Sequence, residues 1–178
     1  MKLTLIAAVS VLSTLASGLA LPDLTPRAIT VRPSIAIVIK EDSPTTAFPP
    51  ASAVEVSRTN GGHTVKTLLG FPVPGCTGTC TFSFNGSNPP SGSRTLQLYT
   101  SGGFPTNGNT WNSHPFTNKH IGTFLVPASG VGPATVLEDF GLTFTCPTTT
   151  TGYEVQPVND NDSVTWDITT GGFILTCT

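Results

Sequence analysis

FGLTFTCPTTTTGYEVQPVNDNDSVTWDITTGGFILTC, which spans residues 140–177, is the stretch that decides the fold of this chain. Apolar and small polar residues alternate in four of its segments, namely residues 140–146, 153–155, 164–168 and 173–177. A period of two places the bulky side chains on one face of an extended strand. Proline, glycine, asparagine and aspartate lie in the intervals between these segments, as they do in turns. The stretch therefore predicts four β-strands joined by short turns.

The same alternation predicts shorter strands earlier in the chain, at residues 35–39, 54–56, 65–69, 80–84, 96–98, 121–126 and 135–137. Val164, Trp166 and Ile168 occupy every second position and so share one face of a strand, which predicts that the ring of Trp166 lies in the core. A helical period of 3.6 does not persist for three turns anywhere after residue 20. We therefore predict an all-β fold, a single antiparallel β-sandwich over residues 34–178 that is stapled by disulfides and contains no substantial helix.

The chain carries few charges. Only 10% of its 178 residues are charged, and 8 basic residues nearly balance 10 acidic ones. The lysines and arginines are scattered singly, so the surface offers no basic patch for a phosphate backbone. We therefore exclude nucleic acid as a partner and expect a polar, uncharged surface.

The first twenty residues have the pattern of a secretory signal peptide. Lys2 is followed by an apolar segment at residues 3–15 and by small residues at 16–20, and cleavage after Ala20 or after Gly18 suits these residues. We predict a signal peptide at residues 1–20 and a flexible arm at residues 21–33. No later segment is apolar over the length of a membrane span. The mature protein is therefore expected to be secreted and extracellular, with no membrane partner.

Four cysteines in an exported chain predict two disulfides. Three pairings are possible, and we favour Cys76 with Cys80 and Cys146 with Cys177. The first bridge would close a glycine-containing loop, and the second would join the first and last strands of the terminal stretch. A zinc site is the competing interpretation, but one Cys-x-x-x-Cys pair without a second close pair is a weak signal for zinc. The prediction is therefore two disulfides and no metal.

Two Asn-x-Ser sequons, at Asn85 and Asn161, predict N-glycosylation. Both lie in segments that we predict to be turns, where a glycan can remain in solvent. They support export through a eukaryotic secretory route.

Residues 101–118 form a long segment rich in glycine, asparagine, threonine and proline, with aromatic residues among them. Exposed aromatic rings beside amide groups are suited to hold a sugar ring. Our candidate binding residues are therefore Phe104, Trp111, Phe116, Asn109 and Asn112. The alternative is that the rings fold inward and fix the loop to the core, since large aromatic side chains are usually buried.

The acidic residues do not form the pattern of a hydrolase. Glu138 and Asp139 are adjacent on a predicted strand, so they point to opposite faces and cannot flank one glycosidic bond. Glu154 and Asp167 could face each other from neighbouring strands, although a solvated outer face is the commoner position for such residues. No Gly-x-Ser-x-Gly motif is present. We therefore expect no enzymatic activity, with carboxylate-based glycoside hydrolysis as the least favoured alternative.

The chain has three histidines, His63, His114 and His120. His114 and His120 lie in or beside the aromatic segment, where a copper or zinc site is conceivable. Their spacing does not match a recognisable ligand set, which favours ordinary surface positions. We therefore expect no cofactor.

Seven short motifs occur in an order and spacing that resemble one protein family. They are SIAIVI (34–39), FPVP (71–74), CTFSF (80–84), GTF (122–124), FTCP (144–147), YEV (153–155) and GFILTC (172–177). Over residues 34–177 the chain resembles the C-terminal domain of the But-type ubiquitin 3 binding protein family, which is common in exported fungal proteins. The resemblance implies a β-sandwich and a fungal source, and it implies no catalytic residues.

The sequence leaves three functions open. The favoured one is a non-catalytic secreted monomer that acts at the fungal cell wall by binding glycan or another surface component. The second is a secreted effector or interaction protein that binds a host or competitor protein, and the third is the hydrolase mentioned above. The uncharged surface, the signal peptide and the absence of a catalytic motif favour the first.

Overall fold

A computed structural model describes residues 28–178 of the chain. The predicted signal peptide and most of the predicted arm lie outside the described residues. The strands, in chain order, are β1 (Ile29–Val31), β2 (Ile35–Lys40), β3 (Ala53–Thr59), β4 (Gly62–Phe71), β5 (Thr79–Ser87), β6 (Ser91–Gly92), β7 (Thr95–Ser101), β8 (Thr117–Leu125), β9 (Val131–Pro133), β10 (Thr135–Asp139), β11 (Thr143–Thr145), β12 (Thr151–Pro157), β13 (Asp162–Asp167) and β14 (Gly172–Cys177). Within this part of the chain, no helix has the length and apolar composition needed to cross a bilayer.

The strands form two antiparallel sheets. Sheet A has the order β1-β14-β5-β11, with β9 also paired to β5. Sheet B has the order β10-β8-β7-β12-β4-β3-β13-β6, with β2 also paired to β4. The predicted all-β antiparallel sandwich is therefore confirmed, as are the four predicted strands of the terminal stretch, which correspond to β11 to β14.

Strand β4 is the branch point of sheet B. Val65 pairs with Lys40 of β2 on one side and with Ser57 of β3 on the other. Two residues further along, Thr67 pairs again with β2 on one side but with Val155 of β12 on the other. Strands β3 and β12 therefore share one side of β4, and the long strand holds both branches of the sheet together.

Aromatic side chains fill the space between the two sheets. Phe82 contacts Phe71 and Tyr153 edge to face, with ring centres 5.3 and 4.7 Å apart. Phe84 makes the same kind of contact with Trp166 at 5.5 Å. Trp166 is buried, so its predicted position in the core is confirmed. Offset and edge-to-face contacts are the arrangements that aromatic quadrupoles favour, and they add to the stabilisation from apolar burial.

A second, smaller apolar cluster lies on the outer face of sheet B. Ile37 and Ile39 of β2 and Leu68 of β4 are fully buried there, although the main core is on the opposite face of the sheet. Trp111, from the long segment between β7 and β8, packs against them. Strand β2 is therefore buried on both faces, because the loop that carries Trp111 covers its outer side.

Two predictions need correction, the first for Phe140 in the predicted strand at residues 140–146 and the second for the predicted flexible arm at residues 21–33. Phe140 does not share a face with Leu142, because Gly141, with φ of 139°, turns the chain, and Phe140 is exposed while Leu142 is buried. In the predicted flexible arm, residues 29–31 form β1 and pair with β14. Arg32 adds a hydrogen bond of 2.9 Å from its guanidinium to the carbonyl of Gly171, so this part of the segment is fixed to the sandwich.

The two disulfides join Cys76 to Cys177 and Cys80 to Cys146. The predicted pairing of Cys76 with Cys80 and of Cys146 with Cys177 is therefore wrong. The reason lies in the order of strands around β5, where Cys80 is beside Cys177 of β14 on one side and Phe144 of β11 on the other. Segments that are distant in sequence thus end side by side, and spacing along the chain does not determine which cysteines are bonded.

Candidate functional site

Glu154 is a charged side chain at the centre of sheet B. In β12 it lies between Tyr153 and Val155, whose side chains enter the main core, so Glu154 points to the outer face. It nevertheless has no exposed area, because the segment between β7 and β8 covers it. A buried carboxylate requires compensating partners to be tolerated.

The partners of Glu154 come from both the sheet and the covering segment. Lys66 of β4 places Nζ 2.9 Å from Oε1, and Gln156 donates to the same oxygen at 2.7 Å. Thr117 donates to Oε2 at 2.6 Å, and His114 places Nε2 3.5 Å from that oxygen. Both carboxylate oxygens therefore have polar partners, and we call Glu154 with these four partners the Glu154 clamp.

The histidine of this clamp holds the covering segment in shape. His114 Nδ1 lies 2.9 Å from the carbonyl oxygen of Trp111 and 3.2 Å from that of Thr110. Since a carbonyl can only accept, Nδ1 carries the proton and Nε2 is the atom that faces Glu154. Residues 110–114 are thus tied into a turn whose imidazole points down to the sheet.

The structure turns two of the three candidate aromatic rings toward the sheet. Trp111 packs on the outer apolar cluster, and Lys66 Nζ lies 4.9 Å from its ring centre. Phe104 lies over Gly70 of β4, where an added Cβ would come within 2.6 Å of its ring. Both rings are only partly exposed, so their geometry is that of the inward-folded alternative.

The remaining candidate residues divide into one that supports the loop and two that face solvent. Asn109 accepts the N–H of Thr106 at 2.7 Å through Oδ1, which shapes the loop internally. Asn112 is exposed and Phe116 is 67% exposed. Of the five predicted binding residues, Asn112 and Phe116 are therefore the exposed ones, and Phe116 is the exposed aromatic ring among them.

The structure does not place Glu154 and Asp167 on neighbouring strands, so the disfavoured alternative in which they face each other does not hold. β12 pairs with β4 and β7, whereas β13 pairs with β3 and β6. Asp167 instead accepts hydrogen bonds from the backbone and hydroxyl of Thr169, and these bonds hold the pKa of Asp167 below its usual value. The two carboxylates therefore do not form a hydrolytic pair.

His120 packs against two aromatic side chains. Its ring stacks on Tyr99 of β7 at 4.9 Å, and Phe140 meets it edge to face at 5.2 Å. Burial, with smaller contributions from the charges of Glu154 and Glu138, raises the pKa of the Tyr99 hydroxyl. The outer face of sheet B is thus polar and aromatic from β12 to β8.

This face ends at β10, an edge strand. Within residues 28–178, β10 pairs only with β8, and all five of its residues are exposed. Val136 is 46% exposed, while Leu137 and Phe140 are each 52% exposed. A sheet edge with unpaired backbone groups and apolar side chains is a template for pairing with another strand. The alternation at residues 135–137 predicted this strand but not its position at the edge.

Two carboxylates accompany these apolar side chains. Glu138 accepts the hydroxyl of Thr123 at 2.6 Å. Asp139 Oδ1 accepts the N–H groups of Leu142 and Gly141, each at 2.9 Å, and these bonds lower the pKa of Asp139. Carboxyl groups of proteins ordinarily carry their charge at neutral pH. The edge therefore has negative charge next to its apolar residues.

An open cleft of about 700 Å³ lies elsewhere, beside the segment between β2 and β3. Val38, Phe48 and Ala51 supply apolar lining, and Lys40 and Asp167 bring charges to it. Lys40 Nζ lies 5.3 Å from the ring centre of Phe48. No sequence motif marks this cleft, although Phe48 within a proline-rich segment is a signal that such a segment contacts the sheet.

The two sequons differ in position. Asn161 lies in the exposed turn between β12 and β13, as predicted, and its Oδ1 accepts the N–H of Asn60 at 3.0 Å. Asn85 is part of β5 and pairs with both Gly172 and Pro133, so its predicted turn position is wrong. Its neighbour Phe84 is buried, which leaves Asn85 on the outer face of sheet A.

Among residues 28–178, the four cysteines are the group of metal-ligand types that lies close together, with all four Sγ atoms within 4.8 Å of one another. His63 lies apart from them and pairs with Asp42 on the surface. The hydrogen bond to the Asp42 carboxylate, together with its charge, raises the pKa of His63.

Comparison with known proteins gives one family. No curated protein matches the chain. The profile of the family described as "ubiquitin 3 binding protein But2 C-terminal domain" matches residues 32–167, which is most of the sandwich. The match agrees with the resemblance seen in the short motifs. The chain belongs to the But2 C-terminal domain family of ubiquitin 3 binding proteins.

Proposed function

We propose that this protein is an exported, non-catalytic binding protein whose ligand is an extended segment of another protein, bound as an added strand along β10. The observation that supports this function is the exposed edge of sheet B, where every residue of β10 faces solvent. The family description, which denotes a binding protein, agrees with it. The occupied hydrogen-bonding groups of Glu154 argue against a catalytic use of the central carboxylate.

Strand addition explains how such an edge gains affinity and selectivity. Backbone hydrogen bonds to the unpaired edge supply affinity, and side chains on alternate positions supply selectivity. Val136, Leu137 and Phe140 would bury their exposed apolar surface against the added strand. Glu138 and Asp139 favour a partner that carries basic residues. The expected ligand is therefore a protein segment in which apolar and basic residues alternate.

Selection of peptides from a random library tests this function directly. The mature protein is immobilised, and a display library of random ten-residue peptides is selected against it. The enriched peptides should alternate apolar with Lys or Arg residues. Hydrogen exchange should show slower exchange at the amides of β10 when such a peptide is bound.

Two matched variants locate the contact. Leu137→Lys places a positive charge on the edge and should weaken peptide binding at least tenfold, because the charge opposes a basic partner. Val73→Lys makes the same change at another exposed apolar residue, outside both sheets, and should leave binding unchanged. Equal binding by Leu137→Lys and the unmodified protein would overturn the proposal. Sedimentation would also overturn it if the unmodified protein were a dimer and Leu137→Lys a monomer, because a second copy of this chain would then occupy β10.

The signal-peptide pattern of residues 1–20 supports export. Expression of the full chain in a eukaryotic secretory host should yield protein in the medium that begins at Leu21. Retention of the chain in the cells with residues 1–20 intact would contradict export.

Glycan binding is the second candidate, and the exposed ring of Phe116 is the observation that favours it. Phe116 is 67% exposed, and exposed Asn112 and Asn118 belong to the same segment. The mature protein would then sediment with insoluble chitin, β-glucan or whole fungal wall. Binding should be lost in Phe116→Ala and kept in Leu137→Lys. A protein that remains in the supernatant with all three materials would rule this function out.

A further inference from the structure

The four cysteines meet at one end of sheet A although they come from four separate segments. Cys76 precedes β5, Cys80 lies in β5, Cys146 follows β11, and Cys177 ends β14. β11 and β14 lie on opposite sides of β5, because Cys80 pairs with a residue of each. The backbone of sheet A therefore holds three of the cysteines in place, and one disulfide joins the fourth to them.

The distances between the two disulfides are short. Cys146 Sγ lies 3.6 Å from Cys76 Sγ and 3.5 Å from Cys177 Sγ, and neither of these contacts is a bond. All four sulfurs lie within 4.8 Å of one another. In a tetrahedral zinc site with Zn–S distances of about 2.3 Å, the ligand sulfurs are roughly 3.8 Å apart. The two contacts that Cys146 makes with the other disulfide already have about that length.

The surroundings are those of a closed structural site. Cys80, Cys146 and Cys177 are buried, and Cys76 is partly exposed. The buried cysteines belong to the main apolar core, and Phe144 packs against that core. Structural zinc sites use four protein ligands and no open position, and four cysteines are one of their usual ligand sets.

We propose that these four cysteines form a zinc site when the two disulfides are reduced. For each disulfide, one molecule of a phosphine reductant would donate two electrons, and one water would supply the two thiol protons and the oxygen of the phosphine oxide. Four thiols result, and Zn²⁺ then displaces the four thiol protons to give a tetrathiolate complex. The chain would thus keep the same end of sheet A closed by disulfides under oxidising conditions and by zinc under reducing ones.

Metal analysis of the full chain tests the proposal. The protein is reduced anaerobically with a phosphine, equilibrated with zinc chloride, desalted and analysed for metal. The reduced chain should retain one zinc ion, and the oxidised chain should retain none. Co²⁺ in place of zinc should give the visible absorption of tetrahedral cobalt together with thiolate charge transfer. A reduced chain that retains less than half an equivalent of zinc would overturn the proposal.

Variants separate a built site from scattered thiols. Cys76→Ser should weaken zinc binding at least about tenfold, since even loss of an outer-shell partner has an effect of that size. Thr77→Ala, a change at the exposed neighbouring residue, should bind zinc as the unmodified chain does. Because zinc can also bind thiols of an unfolded chain, thermal unfolding is followed as well, and zinc should raise the melting temperature of the reduced chain. Zinc binding without that rise, or equal binding by Cys76→Ser, would overturn the proposal.

Discussion

Replacement of Lys66 by methionine tests whether the buried Glu154 clamp stabilises the fold. Methionine keeps most of the length of the side chain but removes the ammonium group. That group lies 2.9 Å from Glu154 Oε1 and 4.9 Å from the ring centre of Trp111. Glu154 has no exposed area, so water cannot replace the lost cation without movement of the covering segment.

The magnitude follows from the burial of the pair. Removing one partner of a buried ion pair destabilises a protein by about 3 to 5 kcal/mol. The lower end applies here, because the side chain of Lys66 is 16% exposed and because Thr117 and Gln156 still donate to the carboxylate. We expect a loss of about 3 kcal/mol at neutral pH, which corresponds to a fall in melting temperature of roughly 6 to 12 °C for a domain of this size.

Urea unfolding followed by tryptophan fluorescence measures the loss. Lys119→Met, a change at an exposed lysine of β8, is the matched control and should change the free energy of unfolding by less than about 0.5 kcal/mol. The double variant Lys66→Met with Glu154→Gln should be more stable than Lys66→Met alone, because it no longer buries an unpaired charge. A loss below about 1 kcal/mol in Lys66→Met, or a double variant in which the two losses simply add, would refute the reasoning.

Trp111→Ala should lower the free energy of unfolding by about 2 kcal/mol, because its partly buried ring packs on the outer apolar cluster, whereas Phe116→Ala should lower it by less than about 1 kcal/mol. Urea unfolding compares the two, and equal losses would contradict the assignment. The pKa of Asp139 is lowered from 3.8, so its charge stabilises the fold above that pH and the stabilisation is lost as the pH falls through the folded pKa. Melting temperatures between about pH 6 and pH 2 should therefore fall less in Asp139→Asn than in the unmodified protein, and parallel curves would disprove this. Peptide mapping of the non-reduced chain should find Cys76 and Cys177 in one disulfide-linked pair of peptides, and any other partner of Cys76 would contradict the pairing.

Glycosylation at Asn85 and Asn161 stays a prediction, and it has its own test. The outward position of Asn85 on sheet A and the exposed turn at Asn161 are compatible with attached glycans. Treatment of the secreted protein with a glycosidase, followed by mass measurement, would show whether either sequon is used. An unchanged mass would mean that neither carries a glycan.

The terminal strands could be predicted from sequence because alternate burial is a local property. Val164 and Trp166 face the core simply because they occupy alternate positions of one strand. The same rule failed at Phe140, where Gly141 reverses the backbone and separates β10 from β11. The local pattern also missed Asn85, whose polar side chain resembles a turn residue but lies on the outer face of a central strand.

The candidate site was harder to predict, because its chemistry depends on residues that are far apart in sequence. Trp111 and Phe116 lie in the same segment, residues 101–118. Their sequence neighbours do not distinguish the ring that folds inward from the ring that stays in solvent. Lys66 and Leu68 of β4 decide the matter for Trp111, since they provide the cation and the apolar surface on which the ring packs.

The sequence by itself therefore determined most of the strands, the sandwich and the family, since each follows from short patterns that act locally or recur in order. Only the tertiary structure decided the cysteine partners, the burial of Glu154 and the exposure of β10. Each of these depends on which segments become neighbours. The cysteine partners follow from β11 and β14 lying on the two sides of β5, and the exposure of β10 follows from its place at the end of sheet B. Glu154 of β12 is buried because the segment between β7 and β8 covers it. Strand order joins residues across the whole chain, and no local period encodes it.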